Sequence, residues 1–292
     1  LRPLRPLIIC SSGQDFFIKS DGSITKYFHE AYRVTKDDIN KTMQLITKSS
    51  IYAMEDEIRN GYITLPGGHR VGVTGQAVLD GGKVKTFKHI SGLNFRIARE
   101  IPGCADKILP FIINKDGGIA NTLIISPPKA GKTTILRDIV RQLSTPVVKK
   151  GFRGYRISLI DERSEIACCF EGVPQNDVGI KTDVLDGCPK AYGIMVMLRT
   201  MSPEIIAFDE IGKAEEVSAI KEAINSGVAV ITTAHGKNLE DIKKRPTLRK
   251  LFQEGFFHRY IILGFGSGAG TLEQVWDGER YKILYDFREK KR

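Results

Sequence analysis

No run of ~18 apolar residues occurs anywhere in the 292-residue chain, so no membrane-spanning helix is encoded. The opening Leu1-Arg2-Pro3-Leu4-Arg5-Pro6 is broken by prolines and does not read as a secretory signal. Cysteine is scarce: Cys10, Cys104, Cys168, Cys169 and Cys188 are odd in number and show no C-x-x-C spacing. That suggests neither a disulfide framework nor a zinc site, and a reducing cytosol is the simple reading. Aromatics are few, with a single Trp, and they do not interleave with basic residues into a stacking platform for single strands. Acidic charge is the minor partner, since the net charge is +10. Basic clusters at Lys149-Lys150-Gly151-Phe152-Arg153, Lys243-Lys244-Arg245 and Arg288-Glu289-Lys290-Lys291-Arg292 are solvated surface or a site for an anionic partner.

What the chain does contain is organised around Ser126-Pro127-Pro128-Lys129-Ala130-Gly131-Lys132-Thr133-Thr134. An apolar run, Thr122-Leu123-Ile124-Ile125, precedes it. After it, apolar residues recur at positions 135, 136, 139, 140 and 143 with a helical period. Buried strand, glycine turn and helix are the context of a phosphate-binding P-loop. Backbone N–H groups at a helix start and the helix dipole both favour bound phosphate. Lys132 is placed to reach the β- and γ-phosphates of ATP, and the Thr133 hydroxyl to ligate Mg²⁺. Ser126 stands where the written pattern has its first glycine, which predicts altered loop geometry with binding retained.

Further along, Tyr155-Arg156-Ile157-Ser158-Leu159-Ile160 reads as a strand ending in Asp161-Glu162-Arg163-Ser164-Glu165. Carboxylates just past the C-terminal end of such a strand lie on the ligand side of an open α/β sheet, which makes Glu162 a candidate. Asp183 to Gly187 follows, then a helix from Ala191 to Leu198 with Arg199 at its end. Ile205-Ile206-Ala207-Phe208-Asp209-Glu210 has the Walker B form, four apolar residues delivering two acids. Asp209 suits Mg²⁺, and Glu210 suits the water that attacks phosphorus. Ala214 to Ser226 is an amphipathic helix closed by Gly227, and Val228 to Thr232 is a buried strand ending in Thr233-Ala234-His235-Gly236. A histidine at a strand tip beside a γ-phosphate can donate a hydrogen bond and sense hydrolysis. His258 to Leu263 is a strand, Gly264 to Gly270 a flexible loop, and Leu272 to Trp276 with Tyr281 to Tyr285 a terminal hairpin.

The first third reads as a smaller α+β module. Strands at 7–9 and 16–18 flank a turn at Ser11-Ser12-Gly13, and Thr35 caps a helix running to about Lys48. A second helix spans Ile51 to Arg59 and stops at Asn60-Gly61. Strands follow at Tyr62 to Leu65, through Gly67 to Gly75, and at Val84 to Phe87 and Leu93 to Ala98. In an alternating strand Arg96 shares a face with Ala98 while Arg99 takes the other. By themselves these arginines read as surface charge. The expected organisation is an N-terminal domain over 1–101, a linker over 102–116 and an ATPase domain over 117–292.

Four blocks together resemble the secretion-type ATPases of type II and type IV secretion and pilus machines: the P-loop, the acidic box Ile160 to Glu165, Phe208-Asp209-Glu210, and Thr232-Thr233-Ala234-His235-Gly236. Three further blocks are similar to the sporulation stage III AA branch: Tyr62 to Gly72, Asp161 to Ala167, and Leu198-Arg199-Thr200-Met201-Ser202-Pro203-Glu204. The resemblance covers nearly the whole chain, although the acidic box differs from the usual secretion-ATPase wording. It implies an α/β fold with a RecA-like P-loop domain and a parallel-core sheet behind the smaller domain. It implies a homo-oligomer, a hexameric ring, with ATP between domains and at subunit junctions, and with Arg96 and Arg99 as arginine fingers. It implies integral membrane partners forming a channel between mother cell and forespore, and a cytoplasmic location at the mother-cell face of a membrane. The competing expectations are a nucleic-acid-binding ATPase and a nucleotide-gated scaffold with little turnover.

Overall fold

Short apolar runs separated by glycine turns organise the first of two units in the computed structural model, which describes residues 1–11, 13–47, 55–59 and 61–288. The units comprise residues 1–99 and 100–292. In the first, β1 (Ile8–Ser11) and β2 (Gln14–Ile18) pair antiparallel, and β3 (Ile24–Thr25) joins β2. Ser12, expected in the hairpin turn, lies outside the described residues. Helix α1 (Lys36–Ile46) opens with a reciprocal cap. Thr35 Oγ1 accepts the Asp38 N–H at 3.1 Å, and the Asp38 carboxylate accepts the Thr35 N–H at 2.7 Å. Ile39 and Met43, one turn apart, carry its buried face. The described part of the next helix is α2 (Glu55–Arg59). Lys48, residues 51–54 and Asn60, all part of the helix expectations, lie outside the described residues.

A second antiparallel sheet orders β4 (Tyr62–Leu65), β5 (His69–Asp80) and β6 (Lys83–Arg96), turning at Gly81 and Gly82. The two strands expected at Val84 to Phe87 and Leu93 to Ala98 are one strand, a correction with a steric cause. The β5–β6 ladder continues on both sides of Gly75 but changes register there, with Thr74 opposite Gly92 and Gln76 opposite Lys88. A Cβ at Gly75 would lie 2.7 Å from the Lys88 carbonyl oxygen, and a register shift falls between Thr74 and Gln76. The strand also ends early, at Arg96, because the Ala98 N–H donates to His69 Nδ1 at 3.1 Å instead of entering the ladder. The expected alternation therefore does not reach Arg99. Ile39, Ile58, Ile63, Val71, Val73 and Leu93 form the core of this unit.

The second unit begins before its sheet. Residues 102–116, expected as a linker, bury Ala105, Ile108 and Ile112 in its core, the last within α3 (Leu109–Ile112). The Ala105 N–H is also held by Asp138 Oδ2 at 2.9 Å. There follow β7 (Thr122–Ser126), α4 (Lys132–Ser144), β8 (Ile157–Asp161), β9 (Thr182–Asp186), α5 (Lys190–Thr200), β10 (Ile205–Phe208), α6 (Ala214–Asn225) and β11 (Ala229–His235). The chain closes with α7 (Leu239–Lys244), α8 (Pro246–Gln253), β12 (Arg259–Gly264), β13 (Thr271–Asp277) and β14 (Lys282–Asp286). The eight strands order as β14-β13-β12-β7-β11-β10-β8-β9. Those from β12 to β9 run parallel, while β13 and β14 add antiparallel at one edge.

Why the parallel strands are apolar on both faces is visible in β7. Ile124 faces one core cluster while Leu123 and Ile125 face the other. Each such side chain removed from water stabilises the fold by about 1.5–3 kcal/mol. The fold is therefore α/β with a mostly parallel core sheet in the second unit, preceded in sequence by a smaller unit, as expected. Parallel strands end together, so β7, β8, β10 and β11 bring the P-loop and three further strand tips to one edge.

Candidate nucleotide site

Ser126 closes β7 fully buried, and its hydroxyl donates to the Pro127 carbonyl at 3.0 Å. The turn is made instead by left-handed backbone at Lys129 (φ 63°) and Gly131 (φ 82°). Ser126 is not left-handed, so its side chain brings no backbone penalty to the position where the pattern has glycine. A Cβ on Gly131 would meet Gly270 N at 3.5 Å, an ordinary contact, so glycine there answers to conformation and not to space. The Gly270 N–H donates to the Ala130 carbonyl at 2.9 Å and ties the loop to the glycine-rich segment before β13. Helix α4 starts at Lys132 with no side-chain cap on its first turn. Its leading amides are thus available to an anion.

At the edge facing this loop, Asp209 is the hub. Its Oδ2 accepts the Thr133 hydroxyl at 2.5 Å, its Oδ1 accepts a short hydrogen bond from the Thr233 hydroxyl, and Lys132 Nζ stands 3.9 Å from Oδ1. Glu210 follows in left-handed conformation (φ 64°), an uncommon state for a non-glycine residue. Two contacts hold it there. Its N–H donates to Thr233 Oγ1 at 2.9 Å, and its Oε1 lies 2.9 Å from His235 Nε2. Arg163 approaches the other carboxylate oxygen at 3.8 Å. The contact with Glu210 places the imidazole proton on Nε2, while Nδ1 is buried without a hydrogen-bond partner.

The acidic box is fixed from inside the sheet. Asp161, 2% exposed, accepts the N–H groups of Glu165, Ile166 and Ala167 at 2.8–2.9 Å. Burial pushes its carboxyl above the ordinary aspartate range, against the pull of those three donors. Arg137 of α4 grips the same segment through the carbonyls of Glu165 and Ile166. Glu162 points elsewhere than the Asp209 hub, with Oε2 2.6 Å from Lys190 Nζ. A cleft lined by Asp161, Glu162, Arg163, Lys190, Asp209 and Glu210 joins the box to the strand tips.

The structure thus brings Lys132, Thr133, Asp209, Glu210 and His235 together, with Glu162 across the cleft. Arg96 and Arg99 are exposed and belong to the first unit, where Arg96 stands opposite Arg70 on β5. Two participants were not singled out in the sequence. Thr233 was visible only as part of a block, and Lys190 carried no local signal.

The donor chemistry fits Mg-ATP. A hydroxyl and a carboxylate at hydrogen-bond distance are hard oxygen ligands of the kind Mg²⁺ accepts. Among the described residues no group of three His, Cys, Asp or Glu side chains forms a cage.

The profile of the family described as sporulation stage III, protein AA, matches residues 5–283. Stage III sporulation protein AA of Bacillus subtilis (strain 168) is 41% identical over 277 residues, 95% of this chain and 85% of that protein. Among solved structures, the Legionella pneumophila ATPase DotB aligns with a TM-score of 0.54 at 17% identity, over 90% of this chain and 70% of its own. The pilus retraction motor PilT, solved with bound ADP, aligns with a TM-score of 0.53 at 16% identity, over 89% and 74%. At such identities the structural matches speak to the fold.

Proposed function

The chain belongs to the sporulation stage III protein AA family, and from that premise we propose that it is a Mg²⁺-dependent ATPase acting as a ring of like subunits. In this reading it works at the mother-cell face of a membrane and powers assembly of, or transport through, a channel to the forespore. No helix among the described residues is long and apolar enough to cross a membrane. In this reading the channel is formed by integral membrane partners.

The observation that carries the reading is the hub at Asp209, which gathers the Thr133 hydroxyl and the Lys132 ammonium within 3.9 Å beside a carboxylate held by a histidine. The uncapped start of α4 and residues 126–134 receive the phosphates, with Lys132 neutralising the β and γ groups. Thr133 and Asp209 hold Mg²⁺, which when bound neutralises charge on the phosphate oxygens. Glu210 orients the attacking water and takes its proton, and Glu162 adds a second carboxylate across the cleft. His235, with its proton on Nε2, exchanges its bond to Glu210 for one to the γ-phosphate and so reports the state of the nucleotide. Arg96 and Arg99 supply positive charge to a nucleotide bound mainly by the other unit or by a neighbouring subunit.

The test is steady-state phosphate release from Mg-ATP by the full chain, alone, with anionic vesicles and with single-stranded DNA. Turnover that is basal or raised by vesicles supports the reading. Stimulation by DNA that falls steeply with salt would move the protein to the nucleic-acid motors. Tight Mg-ATP binding without phosphate release would leave a nucleotide-gated scaffold.

A further inference from the structure

Lys190 is the first residue of α5, where the helix dipole is positive and a lysine is electrostatically misplaced. Its side chain is nevertheless only 10% exposed. Burying an ammonium there is costly unless carboxylates surround it, and two do. Glu162 Oε2 lies 2.6 Å from Nζ, and Glu216 Oε1 lies 3.3 Å away. Glu216 is 2% exposed and spends its other oxygen on the backbone, accepting the N–H groups of Gly212 at 2.7 Å and Lys213 at 3.0 Å. The held residues start two positions after Glu210, whose backbone is left-handed (φ 64°). On its other flank the Ile211 N–H is held by the Thr233 carbonyl at 2.9 Å. A continuous path therefore runs from Glu162 through Lys190 and Glu216 to residues 212–213, and around the cleft to Glu210.

We propose that Lys190 is a positioning residue: by bridging Glu162 and Glu216 it fixes the acidic box relative to the segment that follows Glu210. The two carboxylates assigned to hydrolysis then keep a set separation across the cleft. The balance of charges agrees. The two carboxylates hold the Lys190 ammonium above the ordinary lysine range despite its burial, so the bridge carries its positive charge throughout the physiological pH range. Arginine at this position also carries charge and spans both partners, whereas methionine fills the volume with neither.

The proposal rests on the ATPase reading, and three variants with four readouts separate the two. Lys190→Met should keep Mg-ATP affinity within ~3-fold of the parent while kcat falls at least ~10-fold, because misplacement and not lost binding is the defect. Amide exchange at Gly212 and Lys213 should quicken in this variant, with exchange in β7 and α4 unchanged. Lys190→Arg should recover most of the turnover. In Lys190→Met/Glu216→Gln the unpaired buried charge is gone and the glutamine carbonyl can still accept from residues 212–213. Thermal stability should therefore return while turnover stays low. The proposal is overturned if Lys190→Met turns over within ~2-fold of the parent, if its affinity falls as far as its kcat, or if the double variant regains full activity. Should the parent bind Mg-ATP without hydrolysing it, the hydrolysis reading fails. Exchange at residues 212–213 then still decides the place of Lys190, since unchanged rates in Lys190→Met would overturn it.

Discussion

Thr133 and Asp209, 76 positions apart in sequence, share a 2.5 Å hydrogen bond across a strand that neither belongs to. They follow β7 and β10, and β11 lies between those strands in the sheet. Thr233, on β11, fills the gap: its hydroxyl donates to Asp209 and accepts from the Glu210 N–H. The two groups proposed as magnesium ligands are therefore held side by side by the strand between them.

Lys132→Ala should abolish nucleotide binding, and Glu210→Gln should retain it while turnover falls at least ~100-fold. Equilibrium binding of a fluorescent ATP analogue and phosphate release distinguish the two, and chelating Mg²⁺ should stop release from the parent. Turnover unchanged in the Glu210 variant would remove its assigned role.

Thr233→Val keeps the shape of the side chain and deletes both hydrogen bonds. Stability should fall by about 1–2 kcal/mol in denaturant unfolding. Turnover should fall with it, since Asp209 and Glu210 lose a shared support. A variant with parental kcat would mean that β11 contributes no alignment.

The α1 cap carries a pH signature. The Thr35 N–H first, and the Tyr32 hydroxyl next, hold Asp38 below the ordinary aspartate value of 3.8. Its contribution to stability is thus fully present above that value and is lost as pH falls through the depressed folded-state value. Urea midpoints of the parent and of Asp38→Asn should differ at neutral pH and converge in acid. A gap that widens on acidification would contradict the cap geometry.

Arg99→Ala and Lys132→Ala subunits should each be inactive alone. Mixed, they should recover part of the activity, because one site in the mixed ring pairs an intact P-loop with an intact arginine. No recovery, with mixed assembly verified by differential tagging, would confine the arginine to its own chain.

Much of the site was legible because its chemistry is encoded in contiguous residues. Glycine and lysine at the start of a helical period mark the P-loop, and two acids after four apolar residues mark Asp209 and Glu210. The parallel core was legible for a related reason, since strands such as β7 and β10 are apolar on both faces and must be covered on both. Other features depend on partners distant in sequence. Lys190, Glu162 and Glu216 come from three separate elements, and no period or motif joins them. Two strands were expected where β6 is one, because its ladder changes register opposite Gly75, where a Cβ would meet the Lys88 carbonyl oxygen on the partner strand. Helices α7 and α8 were missed altogether. They are short, and each has only two buried residues.

The hydrogen bond from Gly270 to the Ala130 carbonyl bears on how the protein is made. Strand β7 sits between β11 and β12, so the loop it feeds has no finished neighbours until translation has passed residue 264, and no brace until it has passed residue 270. The loop therefore takes its braced shape only once those later residues have been made.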